Sequence, residues 1–220
     1  PGVTVEKKEG TAHIGKKEIT IVDLPGIYSL SPYSMEEIVS RDYIIGSGKN
    51  PAPDAIINII DATNIERNMY LTVQLLELER PMVIALNFMD EARKAGDQID
   101  VKKLSEKLGI PVVPITAKTG ENLDELLRIT HKQMHTGFTI EPDDLYDDFT
   151  HEIHHRVDEL IHDNAYSKKI PAHWASIKLI EGDKIVEDSL DLPQNIKDKI
   201  EAIAKEYENS SDYGDRETLI

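Results

Sequence analysis

Hydrophobic residues fall along this chain in two rhythms, and the change from one to the other divides it. In the first half, apolar runs of strand length alternate with stretches of helical spacing. Val3, Val5 and the positions up to Ile14 predict an extended, partly exposed strand. Gly15-Lys16-Lys17 turns it back into a second strand carrying Ile19, Ile21 and Val22, giving an antiparallel pair. Residues 27–33 hold Ser and Pro but no helical period, and read as a loop. Ser34 is placed to cap a helix beginning Met-Glu-Glu, with Met35, Ile38, Val39 and Tyr43 on its inner side. Residues 54–60 form a continuous apolar strand of the kind covered on both faces in a parallel sheet. A helix with Ile65, Met69, Thr72 or Val73, and Leu76 inward comes next, then a strand at 82–86. Asp100 caps a helix over 101–108 that Gly109 stops; a strand at 111–115 and a helix from about 121 to 134 follow. Such alternation implies a doubly wound, mostly parallel α/β sheet.

The second rhythm is wholly helical. Leu145, Phe149, Ile153, Val157 and Ile161 recur every four residues, Trp174, Ile177 and Ile180 mark a second helix, and Ile196, Ile200, Ile203 and Tyr207 a third. These predict a small, self-contained helical domain. Charge shifts at the same place. Residues 1–137 carry 16 Lys/Arg against 20 Asp/Glu, net −4, and residues 138–220 carry 9 against 21, net −12. With Gly137 and Pro142 beside the shift, the expected domains are 1–137 and 138–220.

The total of −16 argues against a nucleic-acid backbone as partner. No apolar run approaches the ~20 residues that span a bilayer, and no signal-peptide pattern is present, so a soluble chain is expected. The sequence has no cysteine, which excludes disulfides and thiolate metal sites.

Candidate chemistry gathers at the ends of the strands. The strand 19–22 ends in Asp23-Leu-Pro-Gly26, which would deliver a carboxylate to the carboxyl edge of a sheet, where open α/β sheets bind ligands. Asp23 would hold a magnesium ion through water, with the Thr4 hydroxyl as a further ligand. Gly26, lacking a side chain, would let its N–H approach a terminal phosphate. Asn87-Phe-Met-Asp90 follows one later strand and Thr116-Ala117-Lys118 the next. Asp90 can accept from both the N1–H and the exocyclic amine of guanine, a donor pair that adenine lacks. Asn87 would tie neighbouring loops and reach the base edge, the Ala117 N–H would donate to guanine O6, and the Lys118 stem would cover the base. Asn87 and Asp90 also suit plain helix caps. The ordered set of Thr4, Asp23 to Gly26, Asn87 to Asp90 and Thr116 to Lys118 is that of the second to fifth GTPase motifs, which favours a P-loop GTPase-like domain that binds GTP or GDP.

Longer phrases are more discriminating. Pro1-Gly-Val-Thr-Val-Glu6, Asp23-Leu-Pro-Gly-Ile-Tyr-Ser29, Tyr33-Ser-Met-Glu-Glu37, Asp61-Ala-Thr-Asn64 and Glu66-Arg-Asn-Met-Tyr-Leu71 resemble the GTPase domain of the ferrous iron transport protein B (FeoB) family. Trp174-Ala-Ser-Ile-Lys-Leu-Ile-Glu-Gly-Asp183 resembles its helical domain, a guanine-nucleotide dissociation inhibitor module. The resemblance implies a GTPase regulating a membrane ferrous-iron transporter at the cytoplasmic face of the prokaryotic inner membrane. Its partners would be guanine nucleotide, magnesium, stimulating potassium and the protein's own transmembrane iron-permease part, with self-association left open. The family's first motif, the loop ending in Gly-Lys-Ser/Thr, is not in the sequence. The chain is thus expected to be a fragment that binds GTP poorly, its missing strand lying between 19–22 and 55–60. Phe88 stands where many GTPases have lysine. Ile27 follows Gly26 where some carry a catalytic glutamine, so hydrolysis should be slow and no catalytic residue is assigned. Two other classes compete: an RNA- or ribosome-associated GTPase, whose basic surface is not in evidence, and an interaction module that has lost the nucleotide.

Six of the eight histidines lie between His131 and His162. On a helix with Ile153 inward, His151, His155 and His162 fall within about 20° of the opposite side, so a solvated stripe is expected ahead of a metal-ligand role, for which no fixed carboxylate partner is evident. The pairs Asp143-Asp144 and Asp147-Asp148 suit the start of a helix, and Trp174 the core.

Overall fold

The computed structural model describes residues 8–31, 34–46, 51–137 and 146–210. Strands β1 (Lys8–Ile14) and β2 (Lys17–Asp23) pair antiparallel, with Ile14 opposite Lys17 and Lys8 opposite Asp23. Gly15 takes φ 61° in the turn, a conformation that costs little without a Cβ. Helix α1 (Met35–Ile45) opens with a capping box. The Ser34 hydroxyl accepts from the Glu37 N–H at 3.2 Å, and the Glu37 carboxylate accepts from the Ser34 N–H at 3.0 Å. Its inner face is not the one expected. Val39 is exposed, while Ser40, Arg41, Ile44 and Ile45 are buried. Polar bonds set that rotation: the Ser40 hydroxyl donates to Pro25 O at 2.9 Å, and Arg80 donates to Ile45 O at 2.8 Å.

Strands β3 (Ile56–Asp61), β4 (Met82–Asn87) and β5 (Val112–Pro114) form a parallel sheet with β4 in the centre. Helix α2 (Ile65–Leu76) connects β3 to β4, and α3 (Met89–Ala95) and α4 (Val101–Leu108) connect β4 to β5. Asp100 caps α4 by accepting from Lys103 N–H at 2.9 Å, and Gly109 ends it at φ 67°. Helix α5 (Leu123–Thr136) then packs on β4.

Alternation along β4 sends Met82, Ile84 and Leu86 to one core, and Val83 and Ala85 to another with Val113, Ile115 and Leu126. β3 departs from the expected double burial: Ile59 is 64% exposed. Asn58, polar in the middle of that strand, is buried and donates to the Thr72 hydroxyl at 2.9 Å. β2 forms no ladder with β3 among the described residues, so two sheets are present, and Ile21 is left exposed.

The remaining helices are α6 (Asp148–Lys168), α7 (Ala172–Ile180), α8 (Lys184–Ser189) and α9 (Gln194–Ser210). The short α8, which the apolar spacing does not reveal, is nucleated by Asp183 accepting from Ile185 and Val186 N–H at 2.9 and 3.1 Å. The helices are not self-contained. One buried cluster runs from Ile60, Leu76, Ile84 and Leu86 beneath the sheet to Ile153, Val157, Trp174 and Tyr207 among α6, α7 and α9.

The histidine stripe is also only partly solvated. His162 is exposed, but His151 and His155 are half-buried and meet the fully buried His154. None of the helices among the described residues is long and apolar enough to cross a membrane.

Candidate functional site

Sheet geometry brings the ends of β4 and β5 together. Asn87 closes β4, and Phe88 takes φ 62°, a left-handed conformation unusual for a side chain of that size. This bend starts α3 and puts Asp90 in its first turn, where the N-terminal dipole favours a carboxylate. Asp90 is about one-third exposed, and Lys94 stands 3.5 Å away. Across the edge, Asn87 Oδ1 accepts from Ala117 N–H at 3.0 Å. The expected tie between loops is therefore present, and it engages the same N–H that was expected to face guanine O6.

Thr116 is buried, and its hydroxyl donates to Glu121 at 2.7 Å. Arg93 grips that carboxylate with contacts at 3.0 and 3.4 Å. Hydrogen bonds from Arg93 and then Thr116 hold the Glu121 carboxyl below its usual range. The Asn122 amide donates to Pro114 O at 2.8 Å, and Lys118 is exposed. Asn87, Asp90, Thr116, Ala117 and Lys118 thus share one rim, braced from below by Arg93, Glu121 and Asn122.

Asp23 and Gly26 belong to the other sheet's end. Both are exposed, and Asp23 offers the hard oxygen donor that magnesium prefers. Thr4 lies outside the described residues. The loop after Gly26 is held from behind. Gln74 Oε1 of α2, fully buried, accepts from Leu30 N–H at 2.6 Å and from the Ser29 hydroxyl at 3.2 Å. Ser31 N–H donates back to the Ser29 hydroxyl at 2.9 Å.

From the loop a polar chain runs into the helices. Lys178 of α7, wholly buried, pairs with Glu181 at 2.6 Å and reaches the Ser31 hydroxyl at 3.3 Å. Beside it, Glu77 at the end of α2 accepts a short hydrogen bond from the Tyr146 hydroxyl. Burial pushes the Glu77 carboxyl up to about 7, against the pull of Lys178 and the Tyr146 bond. Burial and the facing Glu77 likewise drive the Tyr146 phenol far above its ordinary range. Motif spacing does not find Gln74, Glu77 or Lys178. The available signal is a polar residue within a helix face otherwise kept apolar.

The segment Gly10-Thr-Ala-His-Ile-Gly15-Lys16-Lys17 has the glycine and lysine spacing of a phosphate loop, though not its final Ser/Thr. Here it is the β1–β2 hairpin, its backbone committed to the ladder.

The family model described as ferrous iron transport protein B matches residues 1–130. The chain belongs to the ferrous iron transport protein B family. A second model, the FeoB cytosolic helical domain, matches residues 146–220. The Fe(2+) transport protein A/Fe(2+) transporter FeoB fusion protein of Porphyromonas gingivalis is 43% identical over 195 residues, covering 83% of this chain and 22% of its own length. The Fe(2+) transporter FeoB of Salmonella typhimurium is 46% identical over 129 residues, 57% of this chain and 16% of its own. The chain therefore spans about a fifth of the length of these curated relatives. The crystal structure of mGMPPNP-bound NFeoB from S. thermophilus is 39% identical, with a TM-score of 0.84 over 100% of this chain and 80% of that one. NFeoB from S. thermophilus bound to GDP.AlF4- and K+ is 37% identical, with a TM-score of 0.83 over 100% of this chain and 82% of that one. The fold is the FeoB one: an α/β domain with a parallel sheet, followed by a helical domain.

Proposed function

We propose that this chain is the guanine-nucleotide-binding, slowly GTP-hydrolysing regulatory part of a membrane ferrous-iron transporter. The Asn87–Ala117 hydrogen bond supports this most directly, because it joins Asn87-x-x-Asp90 to Thr116-Ala-Lys118 on one rim. That the S. thermophilus relatives were crystallised with mGMPPNP, and with GDP.AlF4- and K+, agrees with it.

In this reading Asp90 accepts the guanine N1–H and amine, Lys118 lies along the base, and Thr116 holds the loop in place. The Ala117 N–H turns from Asn87 to guanine O6 as the base enters. Thr4 and Asp23 hold magnesium, and the Gly26 N–H meets the terminal phosphate. Bound magnesium and potassium would supply positive charge to the phosphates. Ile27 offers no polar group to orient water, so turnover is slow. The functional units divide at 137/138, with the helical part governing release. The natural partner is the same protein's transmembrane permease part at the cytoplasmic face of the membrane; nucleic acid is not a partner, and self-association is compatible with the reading.

Base reading gives the test. In a chain carrying a Gly-Lys-Ser/Thr loop upstream of Pro1, Asp90→Asn should weaken GDP binding at least about tenfold, and Phe88→Lys far less. Equal, small effects of the two substitutions would rule Asp90 out as the guanine reader.

A further inference from the structure

The first turns of α6 carry His151-Glu-Ile-His154-His155, and the ligand nitrogens of its three histidines all lie within 4.8 Å of one another. Ring centroids are 4.4 Å apart for His151 and His155, 4.5 Å for His154 and His155, and 5.5 Å for His151 and His154. His151 stands three residues before His154 and four before His155, spacings that share a helix face. His154 is wholly buried, and its ring meets that of His173 on α7 edge-on at 4.4 Å. Tyr146 closes the same side, 5.8 Å from His154 and 6.4 Å from His173. His151 and His155 are half-buried, so the cluster has a packed floor and an open mouth.

We propose that His151, His154 and His155 form a binding site for one late first-row divalent cation, of the zinc class. Three imidazoles, with a fourth coordination position left to water, are a known donor set for zinc. A tetrahedral zinc–imidazole shell needs nitrogens about 3.4 Å apart. From separations of at most 4.8 Å, that shell asks each nitrogen to move by about 1 Å toward the centre. Without cysteine or a carboxylate in the group, magnesium and calcium are poor occupants. Imidazole ligation and the order of divalent affinities put zinc ahead of ferrous iron, so the site is not an iron store. His173 is a positioning residue: from α7 it limits the tilt of the His154 ring. Occupancy would thereby brace α6 against α7, the helix whose Lys178 meets the loop at Ser31. The site does not depend on nucleotide binding.

Plain packing of the rings is the competing account, and metal titration separates the two. The untagged 220-residue chain is titrated with Zn2+ against a chromophoric chelator, and with Co2+ for visible d–d absorption. One equivalent should bind, with tetrahedral cobalt bands. His151→Gln and His155→Gln, at half-buried positions, should each weaken Zn2+ binding at least about tenfold, with far-UV circular dichroism unchanged. His162→Gln, on the same helix but exposed, and His131→Gln should leave it as it was. Ligation by the buried His154 is read from imidazole 15N shifts of the unsubstituted chain on adding Zn2+, since truncating that ring could unfold the helix. Absence of stoichiometric Zn2+ binding, binding untouched by His151→Gln and His155→Gln, or an unmoved His154 resonance would each overturn the proposal.

Discussion

Glu77→Gln changes a single charge at the junction between the sheet and the helices. The Glu77 side chain is fully buried at the C-terminal end of α2 and faces Tyr146, which precedes α6, Lys178 of α7, and Glu181, which follows α7. Burial, the largest influence, raises its carboxyl from 4.5 to about 7; Lys178 and the Tyr146 hydrogen bond pull it down, and Glu181 pushes it up. The native chain therefore keeps this proton to a higher pH than the unfolded chain does. Stability from the group is fully present below about 4.5 and is lost as the pH rises through about 7. A rise from 4.5 to about 7 corresponds to roughly 3 kcal/mol, most of which falls between pH 5 and 8. Glutamine retains an acceptor for the Tyr146 hydroxyl but cannot ionise.

Urea unfolding of the two proteins at pH 5, 6, 7 and 8 isolates this effect, because the histidines and surface acids titrate alike in both and cancel in the difference. The Glu77→Gln protein should gain roughly 2–3 kcal/mol relative to the parent on going from pH 5 to pH 8. Parallel profiles would show that burial does not control this carboxyl. A difference of opposite sign would mean that the attraction of Lys178 outweighs the cost of burial, so that the native state prefers Glu77 charged.

Other expectations concern the loop and the nucleotide. Gln74→Ala removes the acceptor for Leu30 N–H and the Ser29 hydroxyl, and should cost about 1–3 kcal/mol, with faster amide exchange at Leu30; unchanged exchange would show that the loop is held elsewhere. Ser31→Ala deletes the hydroxyl that Lys178 meets and spares the Lys178–Glu181 pair. With a phosphate loop supplied, it should alter the GDP off-rate several-fold and leave single-turnover hydrolysis unchanged, whereas the reverse pattern would refute release control by the helices. The 220 residues as they stand contain no Gly-Lys-Ser/Thr, so fluorescent GDP at millimolar magnesium should bind them weakly, and micromolar or tighter affinity would contradict this.

Much of the parallel sheet was legible because its signals are local. The apolar run of β4, the Asp100 cap and the Gly109 stop each depend on a few neighbouring residues, and the structure places them as read. Burial was less legible, since it depends on what packs from far away in the chain. The run at β3 looks like a strand covered on both faces, yet Ile59 is exposed. Val39 looks like an inner residue of α1, yet hydrogen bonds at Ser40 and Arg80 decide that helix's rotation. The rim residues Asn87, Asp90 and Thr116 to Lys118 could be named in advance because strand ends in a parallel sheet share an edge. That the Asn87 side chain engages the Ala117 N–H in particular depends on how the two loops fold against each other, which no local spacing encodes.

The link between loop and helices was written in the sequence only as an anomaly. Gln74 and Glu77 interrupt the apolar face at the end of α2, and Lys178 does the same in the most buried stretch of α7. A polar or charged group in such a register is costly unless something answers it, so each implies a partner. No local pattern names that partner. Tyr146 is 69 residues from Glu77, and Ser31 is 147 residues from Lys178. Both partners border segments outside the described residues, 32–33 and 138–145. An apolar contact in these places would hold the loop to the helices in whatever rotamers fitted. The bond donated to Ser31 by the buried Lys178 ammonium holds it only in one arrangement, and displacing Ser31 leaves Lys178 with one fewer acceptor in a place water does not reach. That asymmetry makes Ser31 the position where substitution should separate the loop from α7 without disturbing the rim formed by Asn87, Asp90 and Thr116 to Lys118.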